Sequence, residues 1–443
     1  MSVFQRTIGS EYPLIERGEG VRLFTSDGRE VLDACGGGAM VASLGHGVDE
    51  IVDAAAEQSE RITYLYFHHF TNEVQERYAE RLIAEVAPEM ARVRFVSGGS
   101  EANEMALRMV RSYHVERGDE ARWRIISPAQ AYHGATIGAL ALTGRDALRE
   151  PYSDYLAPHL HLKPSSRRFD PSGEAALEEL DGLLEEAGPE TVAAFLCEPV
   201  SAAALPGYSP PARFWEGLAE RRERHGFLVV FDEIVTGMGR TGSWFAYQQL
   251  PIEPDVVSAG KGMGAGYMPL AATLCKKHVF DAFASGSREF EHGHTWDGAP
   301  LSCAVGLAVL DKLEREQLVE RVRESGPRLR DELEAALGGF DLVREVRGRG
   351  YLLGVEYVDP RDGESMLPDD LNAAELLDSA ALELGLLVTS THSNRDGFVG
   401  DQTLLTPAYT STDEELAEIV ERLAAAVERV EEQVKDALTG APA

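Results

Sequence analysis

The chain has 443 residues, 44% hydrophobic and 26% charged, a composition that supports a large buried core and more than one folding unit. Its formal net charge of −32 repels phosphate backbones and argues against a nucleic-acid partner. No apolar run reaches the roughly 18 residues needed to cross a membrane, and the start lacks the basic and apolar regions of a signal peptide. Cys35, Cys197, Cys275 and Cys303 are scattered without metal-ligand or CxxC spacing, as expected of buried thiols in a reducing cytoplasm.

In chain order, the first predicted element is a hairpin over VRLFTSDGREVLDA (21–34), with Asp27-Gly28 as its turn. A helix is predicted over Glu101–Glu116, introduced by Ser100 as a cap. Five short apolar runs follow, at 122–128, 192–200, 227–234, 255–260 and 270–276. They are too apolar on both faces for a half-exposed sheet. Among them a helix is predicted over Ala212–His225, with Pro210 and Pro211 before it and Gly226 at its stop. From about residue 309 the pattern predicts one long helix, then strands over 342–358, a helix over 371–384 and a closing helix from Asp413 to about Leu438. The alternation predicts an α/β fold: a large domain (51–308) with a mainly parallel sheet flanked by helices, and a smaller α+β domain from both termini (1–50 and 309–443).

Four segments carry chemistry. Ser97-Gly98-Gly99-Ser100 runs into a helix, where free N–H groups and the helix dipole favour an anion, although a Gly-Ser helix start is also everyday structure. Tyr132-His133-Gly134 follows a strand at the edge where α/β proteins bind ligands, so Tyr132 could stack on a flat ring or simply be core. Asp232 ends a buried strand, a costly position without a partner such as a protonated ring nitrogen, a metal or a helix cap. Ile234, two residues on, points the same way. Lys261 ends another apolar strand among small residues, where partial burial would lower its pKa and free a nucleophilic amine. A phosphate-binding P-loop there would need Gly at 255 and Ser or Thr at 262, but these are Asp255 and Gly262. No dinucleotide fingerprint follows an early strand. His68-His69 and His292-Gly293-His294 lack the further ligands of a metal site, so no metal is expected.

The ordered set SGGSEAN, AYHG, CEP, FDEIVTGMGRTG, DVVSAGKGMGAGYMPL and GHTWDGAPLSCA resembles the class III (omega-type) aminotransferases, which are pyridoxal 5′-phosphate (PLP) enzymes of fold type I. The resemblance runs from about Leu32 to the C-terminal helix. It implies a PLP cofactor, a cytoplasmic homodimer with its active site at the interface, and transfer of an amino group from an amine or amino acid to a keto acid such as pyruvate or 2-oxoglutarate. Lys261 would carry the cofactor as a Schiff base and move the reacting proton, and Asp232 would pair with the ring nitrogen. Tyr132 and Ile234 would cover the two ring faces, and Gly99 and Ser100 would bind the phosphate. Thr295 would reach the phosphate of the neighbouring subunit's cofactor, with Glu198 near the cofactor. Decarboxylase, aminomutase or racemase chemistry on the same Lys and Asp is the alternative; a non-catalytic PLP-binding protein would be expected to lack one of the two.

One departure concerns the substrate. The position at which many relatives carry a carboxylate-binding arginine falls on Gly397, and Arg395 is the nearby substitute, or else a solvated loop charge. Without a guanidinium in the site, donors whose amine lies far from a carboxylate are favoured. Tyr64, Phe67 and Trp296 are candidate walls of an apolar substrate pocket, or core residues.

Overall fold

A computed structural model describes residues 2–163, 170–392 and 400–440. Its centre is a seven-stranded sheet in the order Arg92–Val96, Ala271–Cys275, Val256–Ala259, Leu228–Glu233, Val192–Cys197, Arg124–Pro128 and Leu160–Leu162. Ala271–Cys275 runs antiparallel to both its neighbours and every other pairing is parallel, so the sheet is mainly parallel as expected.

The apolar runs have a direct cause. Along the central strands, Val229, Phe231, Phe195 and Cys197 belong to one buried cluster with Phe214 and Trp215. Leu228, Val230, Ala194 and Leu196 belong to another with Met109, Val110 and Tyr113 of the helix Gly99–Glu116. Side chains alternate faces along a strand, and both faces here are covered, so neither parity can be polar. Trp215 is wedged edge-on against Phe214 and Phe231 at 5.3 and 5.5 Å between ring centres, and its Nε1–H donates to Pro210 O at 3.0 Å. The helix Ala212–His225 stops at Gly226, whose φ of 74° suits a residue without Cβ.

Two smaller sheets complete the second domain. Val343–Arg349, Leu352–Tyr357, Gln402–Leu405 and Thr389–Thr391 form an antiparallel sheet, with the helices Leu318–Leu337 and Asp413–Thr439 nearby. Ile15–Glu19 and the hairpin strands Arg22–Thr25 and Glu30–Asp33 begin the other, in that order. Leu386–Leu387 joins them in parallel with Glu30–Asp33, tying the two ends of the chain together.

Two expectations need correction, and one strand had no expectation. The single helix from about residue 309 is two, Pro300–Arg315 and Leu318–Leu337, separated by Gln317 at φ 51°. Ser100 does not cap its helix: Gly98 stands at the cap position, and Ser100 Oγ instead accepts from Ala135 N–H at 3.0 Å. The edge strand Arg92–Val96 went unpredicted because its exposed charges interrupt the apolar run; its signal was the alternation of Arg92 and Arg94 with Val93 and Phe95. No helix among the described residues is long and apolar enough to cross a membrane.

Candidate active site

Strand direction assembles the site. The strands ending at Val96, Pro128, Cys197, Glu233 and Ala259 all deliver their C-terminal ends to one edge of the sheet. Beyond those ends, Gly99, Ser100, Tyr132, Glu198, Asp232, Ile234 and Lys261 line one cleft. Crevices at strand C-termini are where open α/β sheets take ligands.

Asp232 lies on the same strand face as Val230, toward the helix Gly99–Glu116. Its Oδ2 accepts from Asn103 Nδ2 at 2.8 Å and from His133 Nδ1 at 2.8 Å, and its Oδ1 accepts from Ile234 N–H at 3.1 Å. Asn103 Nδ2 also donates to His133 O at 2.7 Å, and His133 N–H donates to Thr143 Oγ1 at 2.9 Å. With only 4% of Asp232 exposed, these contacts satisfy its buried oxygens and hold the side chain in the cleft. His133 Nε2 and Asn103 Oδ1 are buried without a hydrogen-bond partner beside it.

Lys261 follows the strand Val256–Ala259 across Gly260, and its backbone sits at φ 40°. Such a conformation in a residue with a Cβ costs about 1–3 kcal/mol and tends to persist where a site demands it. Burial pushes the Lys261 ammonium below the ordinary lysine range; Asp232 and Glu198 oppose the shift and Arg240 adds to it. Arg240 is itself fully buried, donating to Pro407 O at 2.5 Å and Tyr351 O at 3.3 Å.

Glycines shape the end of the cleft beside the start of the helix Gly99–Glu116. A Cβ on Gly134, at φ 137°, would lie 2.4 Å from Ser100 Oγ, and one on Gly99 would lie 2.8 Å from Ile234 Cδ1. Both positions therefore need glycine for the helix start, Ser100 and Ile234 to close around one space.

Burial is the largest cause raising the Glu198 carboxyl; Asp232 adds to it, His133, the Ala202 N–H and Lys261 oppose it, and the group is raised to about 7. Such a group stabilises the fold when protonated. The unfolded chain releases the proton near its ordinary value of 4.5 and the folded one near 7, so this contribution falls as pH rises across that window and is constant above it. In Glu198→Gln, the decline in melting temperature of the cofactor-free protein between pH 5 and pH 7 is expected to become shallower. Melting curves at unit pH steps check this, and an unchanged profile would refute the assignment.

The remaining predicted residues are elsewhere. Thr295 is exposed, and Tyr64 and Trp296 are 43% and 52% exposed, with rings 5.6 Å apart edge to face. Phe67 packs under the Arg94 guanidinium at 5.2 Å. None of the four lines the Lys261 cleft. His294 pairs with Glu101 at 2.9 Å. Arg395 and Gly397 lie outside the described residues. Asn103 and His133, which grip Asp232, had no assigned role from sequence, although Asn103 stands four residues after Gly99 on one helix face.

The family profile "Aminotransferase class-III" matches residues 5–427. An aminotransferase of Schizosaccharomyces pombe is 33% identical over 420 residues, covering 93% of this chain and 91% of that protein. The taurine–pyruvate aminotransferase of Bilophila wadsworthia is 31% identical over 429 residues, covering 94% and 92%. Among solved structures, an amine transaminase from an uncultivated Pseudomonas species, in its PLP-bound form, superposes with a TM-score of 0.89 at 31% identity, covering 96% of this chain and 98% of that one. The chain belongs to the class III aminotransferases and is a PLP-dependent aminotransferase of fold type I.

Proposed function

We propose that the protein moves an amino group from a small amine donor to a keto acid, pyruvate or 2-oxoglutarate, in two half-reactions at the Lys261 cleft. The observation that carries this reading is Asp232: a buried carboxylate held by Asn103, His133 and the Ile234 N–H in the cleft that Lys261 also lines.

The residues fit PLP. Asp232 is the anion for a protonated ring nitrogen, Tyr132 and Ile234 are the flat and branched surfaces for the ring faces, and the start of the helix Gly99–Glu116 with Ser100 suits the phosphate. When bound, PLP would supply an aldehyde to receive an amino group and an electron sink that eases loss of the neighbouring proton. Lys261, its ammonium discharged more readily by burial, holds the cofactor covalently and then serves as the base whose Nζ carries the proton from the donor's amine-bearing carbon. Asp232 keeps the ring nitrogen protonated throughout, and His133 and Asn103 hold its carboxylate in position. Glu198, also on the cleft, is poised to gain or lose a proton near neutrality.

The donor reading rests on the lining. Among the described residues no arginine lines the cleft, which favours donors without a carboxylate beside the amine. Amine and taurine donors of the related proteins support the same class. A homodimer is part of the proposal. Tyr64, Tyr66, Phe70 and Trp296 are exposed, Tyr64 and Trp296 meet edge to face, and Thr295 precedes Trp296 in the chain, a composition suited to an interface that would complete a partner's site. The four buried free thiols support a cytoplasmic location.

The test is a visible spectrum of the purified protein during addition of amines and then keto acids. The Schiff-base band is expected to disappear with an amine and return with pyruvate or 2-oxoglutarate. A band that persists with every donor would sink transamination and favour decarboxylase, aminomutase or racemase chemistry.

A further inference from the structure

Away from the cleft, a second pocket opens at the seam between the two domains. One wall is the turn Thr241-Gly242-Ser243, which follows the Asp232 strand. The other is the helix Leu318–Leu337 with Gly348 and Arg349 at the end of the strand Val343–Arg349 and Gly350 just after it. These walls meet backbone to backbone. Tyr351 N–H donates to Arg240 O at 3.0 Å, and a Cβ on Gly350, at φ 55°, would lie 2.6 Å from the carbonyl carbon of Thr241.

The charge in this pocket runs against the composition of the chain. Acidic residues outnumber basic ones 74 to 42, yet the pocket is lined by Arg323, Arg330 and Arg349 and by no Asp or Glu. Arg323 and Arg330 pair with neighbours on their own helix, Glu320 for one, Asp331 and Glu334 for the other. Those pairs are solvent-exposed and weak, so both side chains are available to a competing anion. Arg330 Nε faces Glu334 Oε1 at 3.5 Å but makes no hydrogen bond. Arg349 differs from both. Burial alone lowers its pKa, and no carboxylate among the described residues offsets that cost. A half-buried guanidinium without a counter-charge is expensive, and an anion in the pocket would remove the expense. Thr241 and Ser243 add hydroxyl groups to the same space.

We propose that this pocket binds a small, multiply charged oxyanion, the terminal group of a phosphorylated or polycarboxylate metabolite, with Arg349 as its principal ligand and Arg323 and Arg330 beside it. A ligand there touches both domains and stabilises their docked arrangement. It also sits one residue from Arg240, whose guanidinium acts on Lys261 and bonds to Tyr351 and Pro407 of the second domain.

The experiment is thermal melting of the full-length, PLP-saturated protein with inorganic pyrophosphate or with citrate, at an ionic strength held constant with sodium chloride. Saturating PLP prevents either anion from reporting on the phosphate end of the Lys261 cleft. A saturable rise in Tm of about 3 °C or more is expected with one of them, and its half-saturation concentration should increase at least about tenfold in Arg349→Met. A stronger response to pyrophosphate assigns the phosphorylated class, and a stronger response to citrate the polycarboxylate class. No saturable rise with either anion, or an equal rise in Arg349→Met, overturns the proposal. Should Arg349→Met fail to fold, calorimetric titration of the Arg323→Ala/Arg330→Ala double variant takes its place, and affinity equal to that of the unaltered protein counts against the site. A change in assembly mass on gel filtration of Arg349→Met, with no change in anion response, would assign the pocket to a subunit contact and overturn the proposal as well.

Discussion

Lys261→Ala is expected to lower kcat/KM by at least about 10⁴-fold, because one side chain is proposed both to anchor the cofactor and to move the reacting proton. The same variant should develop no Schiff-base absorption after incubation with PLP. Stability should behave differently from activity. Lys261 is an ammonium pressed toward its neutral form by burial, and its backbone sits at φ 40°. Removing the amine ends the desolvation cost, so cofactor-free Lys261→Ala should melt no lower than the unaltered protein. Lys261→Gly should melt higher than Lys261→Ala, since glycine adopts that φ without strain, against which its greater freedom in the unfolded chain counts only in part. Activity retained within tenfold in either variant would remove Lys261 from the mechanism. Loss of activity together with a large drop in Tm would instead reduce it to a structural role.

Lys261 and Asp232 were legible from sequence for one physical reason. In a sheet covered on both faces the strands must be apolar throughout, so a charged residue at a strand's end stands out and the end it occupies is the ligand edge. Ile234 followed from parity, because residues two apart share a face; it does lie toward Gly99, although the strand itself ends at Glu233. The partners of Asp232 were not legible as partners. Asn103 and His133 lie 129 and 99 positions away along the chain, and only the packing of the helix Gly99–Glu116 over the sheet brings them to one oxygen. Arg349 was equally silent: in sequence it is one arginine in a Gly-Arg-Gly run, and its unpaired burial exists only once that strand end is packed beside Thr241. The strand Arg92–Val96 shows the reverse case, in which the pattern was present but alternated with charge, as an edge strand's can. Tyr64, Phe67 and Trp296 read as possible pocket walls because they are large and aromatic. A chain's own sequence cannot say whether such residues wall its own cleft or face a neighbour, and here they lie away from Lys261.

Asp232→Asn is expected to be the second most damaging change, lowering kcat/KM about 10³-fold while preserving shape. The asparagine keeps an oxygen for Asn103 but cannot offer a negative charge to a protonated ring nitrogen, and loss of one preorganised electrostatic contact costs about 10²–10³-fold. Two further consequences follow from the same geometry. Asp232 is the first of the charges raising the Lys261 pKa, so in the variant that pKa should fall further, seen as a lower pH midpoint for Schiff-base formation when PLP is added to the cofactor-free protein. His133 Nδ1, which now donates to the carboxylate at 2.8 Å, would face an amide whose oxygen and nitrogen must be shared with Asn103. One buried polar group is left poorly paired, so stability should drop by about 1–3 kcal/mol. His133→Asn separates position from charge: it leaves the carboxylate in place with one fewer anchor, and a loss of only about 10–100-fold is expected, as for residues that orient a functional group rather than supply it. Equal losses in Asp232→Asn and His133→Asn would mean that the charge of Asp232 contributes nothing beyond its hydrogen bond. Losses in the expected order, with the lowered midpoint seen only in Asp232→Asn, would identify the carboxylate as the electrostatic centre of the site.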